Sequence, residues 1–305
     1  MKLGSTWHLA KEAVTKWWAD NTFQLGAALA YYSVFSLAPI LIIAVAVASL
    51  AFGEEAARGH IANEIRATVG PRVATAIQET IRDSAEDGSG KFATVISVGI
   101  LFFSATAVFS QLQEALNTVW GVQTVAGRSW MDMVRDRFWS FTVVLGVGFL
   151  LLVSLVLSTA LSALATFLTP ASWADGIFLW RAIHGLISFG FITVLFAMIY
   201  KLLPDVEIAW HDVWVGAAVT ALLFTMGKYL IGLYLANSSW VSAYGAAGSL
   251  VVVLLWVYYS AQIFLLGAEF TYVHATHSGR PLVLEERAEL MTEESRAKLG
   301  MRHED

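Results

Sequence analysis

The chain contains no cysteine, and only 5 of its 305 residues are proline. Without thiols there is no disulfide and no thiolate metal site, so neither a disulfide-stapled scaffold nor a zinc ribbon fits. Charge is scarce as well: Asp, Glu, Lys and Arg make up 14% of the residues, against roughly a quarter in an average soluble domain. The net charge of −5 supplies no basic surface for nucleic acid. The alternation of apolar and polar residues that builds a membrane β-barrel is missing too. What the chain has instead is 57% hydrophobic residues and a mean hydropathy of +0.63. That composition points to a helical membrane protein.

Six stretches carry no Asp, Glu, Lys or Arg: residues 21–53, 92–113, 138–174, 182–200, 213–227 and 229–268. A spanning helix needs about 20 apolar residues. The last two stretches are interrupted only by Lys228 and together exceed one helix; the polar run NSSWVSAYG at 237–245 supplies a turn. The predicted fold class is all-α, a polytopic bundle of six transmembrane helices. Spans are expected near 24–51, 92–119, 138–166, 178–202, 213–236 and 244–270, within a transmembrane domain 1–275 followed by a polar cytoplasmic tail 276–305. AVAVASLA in the first span has the look of a signal-cleavage site, but its apolar region is longer than the 7 to 15 or so residues of a signal peptide.

Lys and Arg set the orientation, since cytoplasmic loops retain more of them. The N-terminal segment has three, the second loop three, the fourth one and the tail five, twelve in all, against six on the opposite side. Both termini are therefore expected in the cytoplasm and residues 53–91 outside. In that external loop Ile61, Ile65 and Val69, then Val73, Ile77 and Ile81, recur at helical spacing around Gly70-Pro71, which predicts two short amphipathic helices. The tail mixes both charge signs and reads as a solvated helix or a disordered segment.

Polar residues inside spans are costly and so informative. On the first span, at 100° per residue, Gln24, Tyr31, Tyr32, Ser36 and Pro39 fall within about 140° of one another. Pro39 cannot donate to the carbonyl of Phe35, which leaves an acceptor free at mid-membrane. The second span brings Glu114 and Asn117 to the same cytoplasmic half, and the sixth brings Gln262 and Glu269. Lys228 stands apart, about 16 residues or roughly 24 Å into an outward-running helix. It either snorkels to the external headgroups or meets an anionic group in a cavity. Gly216-Ala217-Ala218 and Gly245-Ala246-Ala247-Gly248 are small-residue runs suited to close helix packing.

AALAYYSVFSLAPIL in the first span, QEALNTVWGV ending the second, YKLLPDVEIAWHDVWVGAAVTALLFTMGKYLIGLYL through the fifth and YGAAGSLVVVLLWVYYSAQIFLLGAEF in the sixth together resemble the YihY/virulence factor BrkB family. The resemblance covers about residues 10 to 275 and implies a six-helix bacterial inner-membrane protein. Labels attached to the family, namely ribonuclease BN-like, serum resistance and transport, differ, so the resemblance implies the architecture and leaves the reaction to the residues.

A metal-dependent nuclease needs clustered carboxylates and histidines. The seven histidines are scattered, and neither His274 with His277 nor His60 with Glu64 has a third ligand close in sequence. The ribonuclease reading is rejected, with no enzyme, metal or cofactor expected. The leading expectation is a permease or flippase-like transporter of the bacterial inner membrane, with a polar cavity between helices 1, 2, 5 and 6 lined by Gln24, Tyr31, Tyr32, Ser36, Pro39, Glu114, Asn117, Lys228, Gln262 and Glu269. The alternative is a non-transporting scaffold that supports envelope integrity. Expected partners are the lipid bilayer and a small-molecule, ion or lipid substrate, with homo-oligomerisation open and no nucleic acid.

Overall fold

The computed structural model describes residues 3–34, 36, 107–125, 174–236, 248–279 and 283–301. The first span beyond Ser36, with Pro39, lies outside these residues, as do the external loop, the start of the second span, the third span and the turn at 237–245. The elements in chain order are α1 (Leu3–Ala19), α2 (residues 22–34), α3 (residues 107–119), β1 (Val122–Thr124), α4 (Ala174–Leu202), β2 (Val206–Glu207), α5 (Trp210–Ala236), α6 (Gly248–His277), β3 (Val283–Leu284), β4 (Ala288–Leu290) and α7 (Glu293–Lys298).

Three of these helices are long and apolar enough to cross a membrane: α4 over Gly185–Leu202, α5 over Trp210–Tyr234 and α6 over Leu250–His277. They coincide with the fourth, fifth and sixth spans expected from the gaps in charge. α6 runs seven residues beyond the expected end at 270, because TYVHATH continues the helix until Gly279 adopts φ 67°.

α5 packs against both α4 and α6. Its contact with α6 is reciprocal. A Cβ placed on Gly216 of α5 would overlap Thr271 of α6, and one placed on Gly267 of α6 would overlap Thr220 of α5. Gly216-x-x-x-Thr220 and Gly267-x-x-x-Thr271 thus interlock, each threonine seated on the other helix's glycine and each hydroxyl returned to its own helix, at 2.8 Å to the Gly216 carbonyl and 2.7 Å to that of Gly267. In lipid, where apolar burial between helices gains little, such close approach is what holds a pair together. Tyr200 of α4 closes the junction, donating to the Phe264 carbonyl at 2.7 Å and sharing a hydrogen bond with Thr220 at 3.0 Å.

α1 is an element that the hydropathy pattern does not reveal. Leu9 and Ala13, four residues apart on one face, are buried against Val273 of α6. The other side exposes Trp7, Val14 and Trp18, the amphipathic aromatic dress of a helix lying at a membrane interface. Asn21, at φ 53° in the left-handed region, turns the chain from α1 into α2.

The tail differs from its expectation as a solvated or disordered segment. β4 pairs antiparallel with β1, Val122 opposite Leu290, and β3 pairs with β2, Val206 opposite Leu284. Short strands from far along the chain find each other because the loops after α3 and α4 emerge side by side at one end of the bundle. Thr292 caps α7 by accepting from the amide of Ser295. Asn21 donates to the carbonyl of Leu299 at 3.0 Å, so the N-terminal helix and the tail sit at the same end.

Candidate functional site

The end of the bundle that carries α1, the 203–209 loop and the tail gathers the buried charge. Asp205 follows α4 in the sequence Leu203-Pro204-Asp205 and is buried. Its carboxylate accepts from Gln113 Nε2 and Asn117 Nδ2 of α3, each at 2.8 Å, and meets Arg287 Nε at 2.9 Å. Asn117 Oδ1 in turn accepts from the Asp205 amide at 2.8 Å, and the Asp205 carbonyl accepts from the Glu285 amide at 3.1 Å. Arg287 Nη2 also reaches Glu285 at 2.8 Å. One aspartate therefore ties α3, the loop after α4 and the tail hairpin into a single unit. Beside it is a cleft of about 520 Å³, lined among others by Gln113, Glu114, Asn117, Asp205 and Lys298.

The second centre lies under α1. Glu269, fully buried on α6, neighbours Asp20, itself buried in the turn between α1 and α2. Lys16 Nζ stands 3.2 Å from one Asp20 oxygen and Arg296 Nη2 3.9 Å from the other. Burial pushes the Asp20 carboxyl above its usual range, opposed by Lys16, by the neighbouring Glu269 and by Arg296. Two neighbouring carboxyls can hydrogen-bond to each other only when one of them carries a proton.

The ten candidate residues fall into separate places. Glu114 and Asn117 line the cleft, and the other described ones do not. Gln24 is exposed and accepts from Asn21 at 2.7 Å. Tyr31 and Tyr32 are 58% and 40% exposed, with rings edge to face at 5.7 Å. Ser36 is buried and donates to the Ser33 carbonyl at 3.1 Å. Gln262 donates to the Thr22 carbonyl at 3.2 Å, where Gly26 leaves room for its amide. Lys228 is exposed, its Nζ 5.6 Å from the centroid of the Tyr229 ring. Pro39 is outside the described residues.

Two further groups assemble at this end that the sequence spacing hides: His211, Asp212 and His274, and His8, Glu12 and His277. Each adds to a histidine of α6 a histidine and a carboxylate from another helix.

A family model described as Virulence factor BrkB matches residues 13–290. The chain belongs to this family. The resemblance carried by the YYSVFSLAPIL, LPDVEIAW and YYSAQIFLLGAEF stretches is therefore confirmed, and the chain is an integral membrane protein. Among similar BrkB-family proteins, the UPF0761 membrane protein of Psychrobacter sp. (strain PRwf-1) is 28% identical over 258 residues, covering 83% of this chain and 46% of its own length. One from Xanthomonas oryzae pv. oryzae (strain PXO99A) is 28% identical over 266 residues, 86% of this chain and 59% of its own. One from Xanthomonas campestris pv. campestris (strain B100) is 30% identical over 255 residues, 82% and 56% respectively. The chain thus spans about half the length of the curated relatives it matches. No solved structure matches it.

Asp20, Lys16, Asp205, Arg287 and Arg296 were not among the expected site residues. Asp205 had a signal: a carboxylate three residues past an apolar span, behind a proline. Arg287 and Arg296 had none, since their partners lie in other segments of the chain.

Proposed function

We propose that the chain is a permease or flippase-like transporter of the bacterial inner membrane, not an enzyme, with six spans and both termini cytoplasmic, and that the Asp20–Glu269 pair is the element that takes up and releases its proton. The observation that carries the reading is Glu269, fully buried in a long apolar helix against a second carboxyl. Helix packing needs no such pair, because each buried carboxyl costs desolvation that an apolar side chain avoids. A shared proton, by contrast, can leave when Lys16 or Arg296 moves closer, which links protonation to helix position. The charge count supports cytoplasmic termini, and the bacterial relatives support the membrane. Against a nuclease, the lining of the cleft includes two carboxylates, Glu114 and Asp205, and one cation, Lys298, a poor seat for phosphates.

A specific observation also favours a scaffold: the Asp205 network and the interlocked Gly216/Thr271 and Gly267/Thr220 contacts are interhelical glue. Reconstitution separates the two. In vesicles carrying a pH gradient and a panel of fluorescent lipids and small solutes, wild-type protein should move at least one of them faster than protein-free vesicles. Glu269→Gln should abolish that movement while inserting and melting like wild type, because its amide can still donate to Asp20 but has no proton to release. Equal rates in wild type, variant and empty vesicles would leave the scaffold.

A further inference from the structure

We infer that the start of α5 and the end of α6 form a binding site for one divalent transition-metal ion of the zinc class, held by His211, Asp212 and His274. The three groups come from two helices whose ends the interlocked glycine and threonine contacts fix side by side. Asp212 is buried, with Oδ1 3.5 Å from His211 Nδ1 and 3.6 Å from His274 Nε2. The two histidine rings lie nearly parallel, at 24°, with centroids 6.2 Å apart.

Those separations decide between a hydrogen-bonded cluster and a ligand set. A good N–H···O bond is 2.7 to 3.2 Å, so 3.5 Å is at its outer limit and 3.6 Å is beyond it. A tetrahedral zinc with ligands at 2.0 to 2.1 Å has ligand atoms about 3.3 to 3.4 Å apart along each edge. The two edges from Asp212 are thus within a few tenths of an ångström of those around an ion, and all three ligand atoms lie within 4.8 Å of one another. Independently, His274 Nε2 is buried and makes no hydrogen bond among the described residues. In the tautomer protonated at Nδ1, that buried nitrogen presents the lone pair a metal takes.

Two imidazoles and a carboxylate are borderline donors that suit zinc and its first-row neighbours and disfavour calcium or magnesium, which prefer an all-oxygen shell. Three protein ligands leave a fourth position for water or an external ligand, and His211, with 71% of its side chain exposed, lets the ion enter from solvent. The group His8, Glu12 and His277 is a built-in comparison. There every member is at least one-third exposed, and His277 Nδ1 lies 3.0 Å from the Val273 carbonyl, so it reads as a surface ion pair.

The test uses the full-length protein in detergent, stripped with chelator and titrated with Zn²⁺ alone, with Co²⁺ absorption as a second readout. Wild type should take up one tight ion per chain and give the intense visible bands of tetrahedral cobalt. His274→Ala should weaken binding by roughly 100-fold or more and His211→Ala by at least about 10-fold, within or beyond the range seen even for lost supporting residues; His277→Ala should change it less than about 3-fold. His211 is mostly exposed, so its variant keeps the fold and the test stands even if His274→Ala does not express. Absence of tight binding in wild type overturns the inference, as does binding that survives His211→Ala and His274→Ala or is lost in His277→Ala.

Discussion

Asp205 and Asp20 are buried to the same degree at the same end of the bundle, each 1% exposed, yet their surroundings differ in kind. Asp205 accepts from two side-chain amides at 2.8 Å and forms an ion pair with Arg287 Nε at 2.9 Å. Asp20 is met by one lysine at 3.2 Å, an arginine as far off as 3.9 Å, and another carboxyl. The first arrangement locks three chain segments. The second leaves a charge incompletely matched and able to change. Burial alone therefore says little about which residue works and which holds; the partners decide.

The largest effect should come from breaking the matched site. Asp205→Ala leaves the buried Asn117 amide without its acceptor and takes one of two carboxylates from Arg287, and should cost about 3 kcal/mol, read as a fall in the thermal unfolding midpoint in detergent. Asp20→Asn, whose amide can still hydrogen-bond its neighbours, should cost no more than about 1 kcal/mol. Equal losses in the two variants would break the comparison.

Next in size is a change to packing with no change in charge. Gly267→Ala pushes a methyl group into Thr220 and toward the Tyr200 hydroxyl, and overpacking of this sort costs about 1 to 3 kcal/mol. It should lower the unfolding midpoint by less than Asp205→Ala does. If it is neutral, α6 is positioned by its charged end and not by the glycine and threonine contacts.

Protonation sharpens the comparison further. Because burial raises Asp20 above its ordinary 3.8, the folded protein holds a proton there that the unfolded chain has released. That contribution to stability is fully present below 3.8 and is lost as pH rises through the folded value. Unfolding followed from pH 4 upward should show this decline, and Asp20→Asn should flatten it. A slope unchanged in the variant would assign the titration to another group.

The sequence made three apolar helices legible because a bilayer demands long uncharged runs: spans expected at 178–202, 213–236 and 244–270 meet helices over 174–202, 210–236 and 248–277. Glu269 and Asn117 were legible for the same reason: a polar side chain stands out against an apolar run. α1 was not, since its apolar face is only Leu9 and Ala13 wide and its other side is tryptophan, valine and lysine. The tail strands and the histidine groups were hidden for a different reason. Val122 with Leu290, or His211 with His274, are brought together only by helix ends meeting in space, and no local period records that.

The smallest effect is expected at Lys228, a charge of a third kind, with neither matched partners nor a second ionisable group described beside it. α5 begins at Trp210, three residues before the expected start, so Lys228 lies about 27 Å along the helix, close to the far membrane surface. Its neighbours Tyr229, Leu230, Leu233 and Tyr234 are exposed, which marks a face turned to lipid, and the Tyr229 ring lies under its ammonium. A lysine so placed can lay its stem along the apolar face and keep its head among the headgroups. Lys228→Leu gives up a weak cation–π contact and removes a polar group from near the lipid, two small changes of opposite sign. The expected outcome is a stability change within about 0.5 kcal/mol and transport equal to wild type in vesicles. Loss of transport with normal insertion would instead place Lys228 in the working set, and would mean that a charge can matter here without a buried partner.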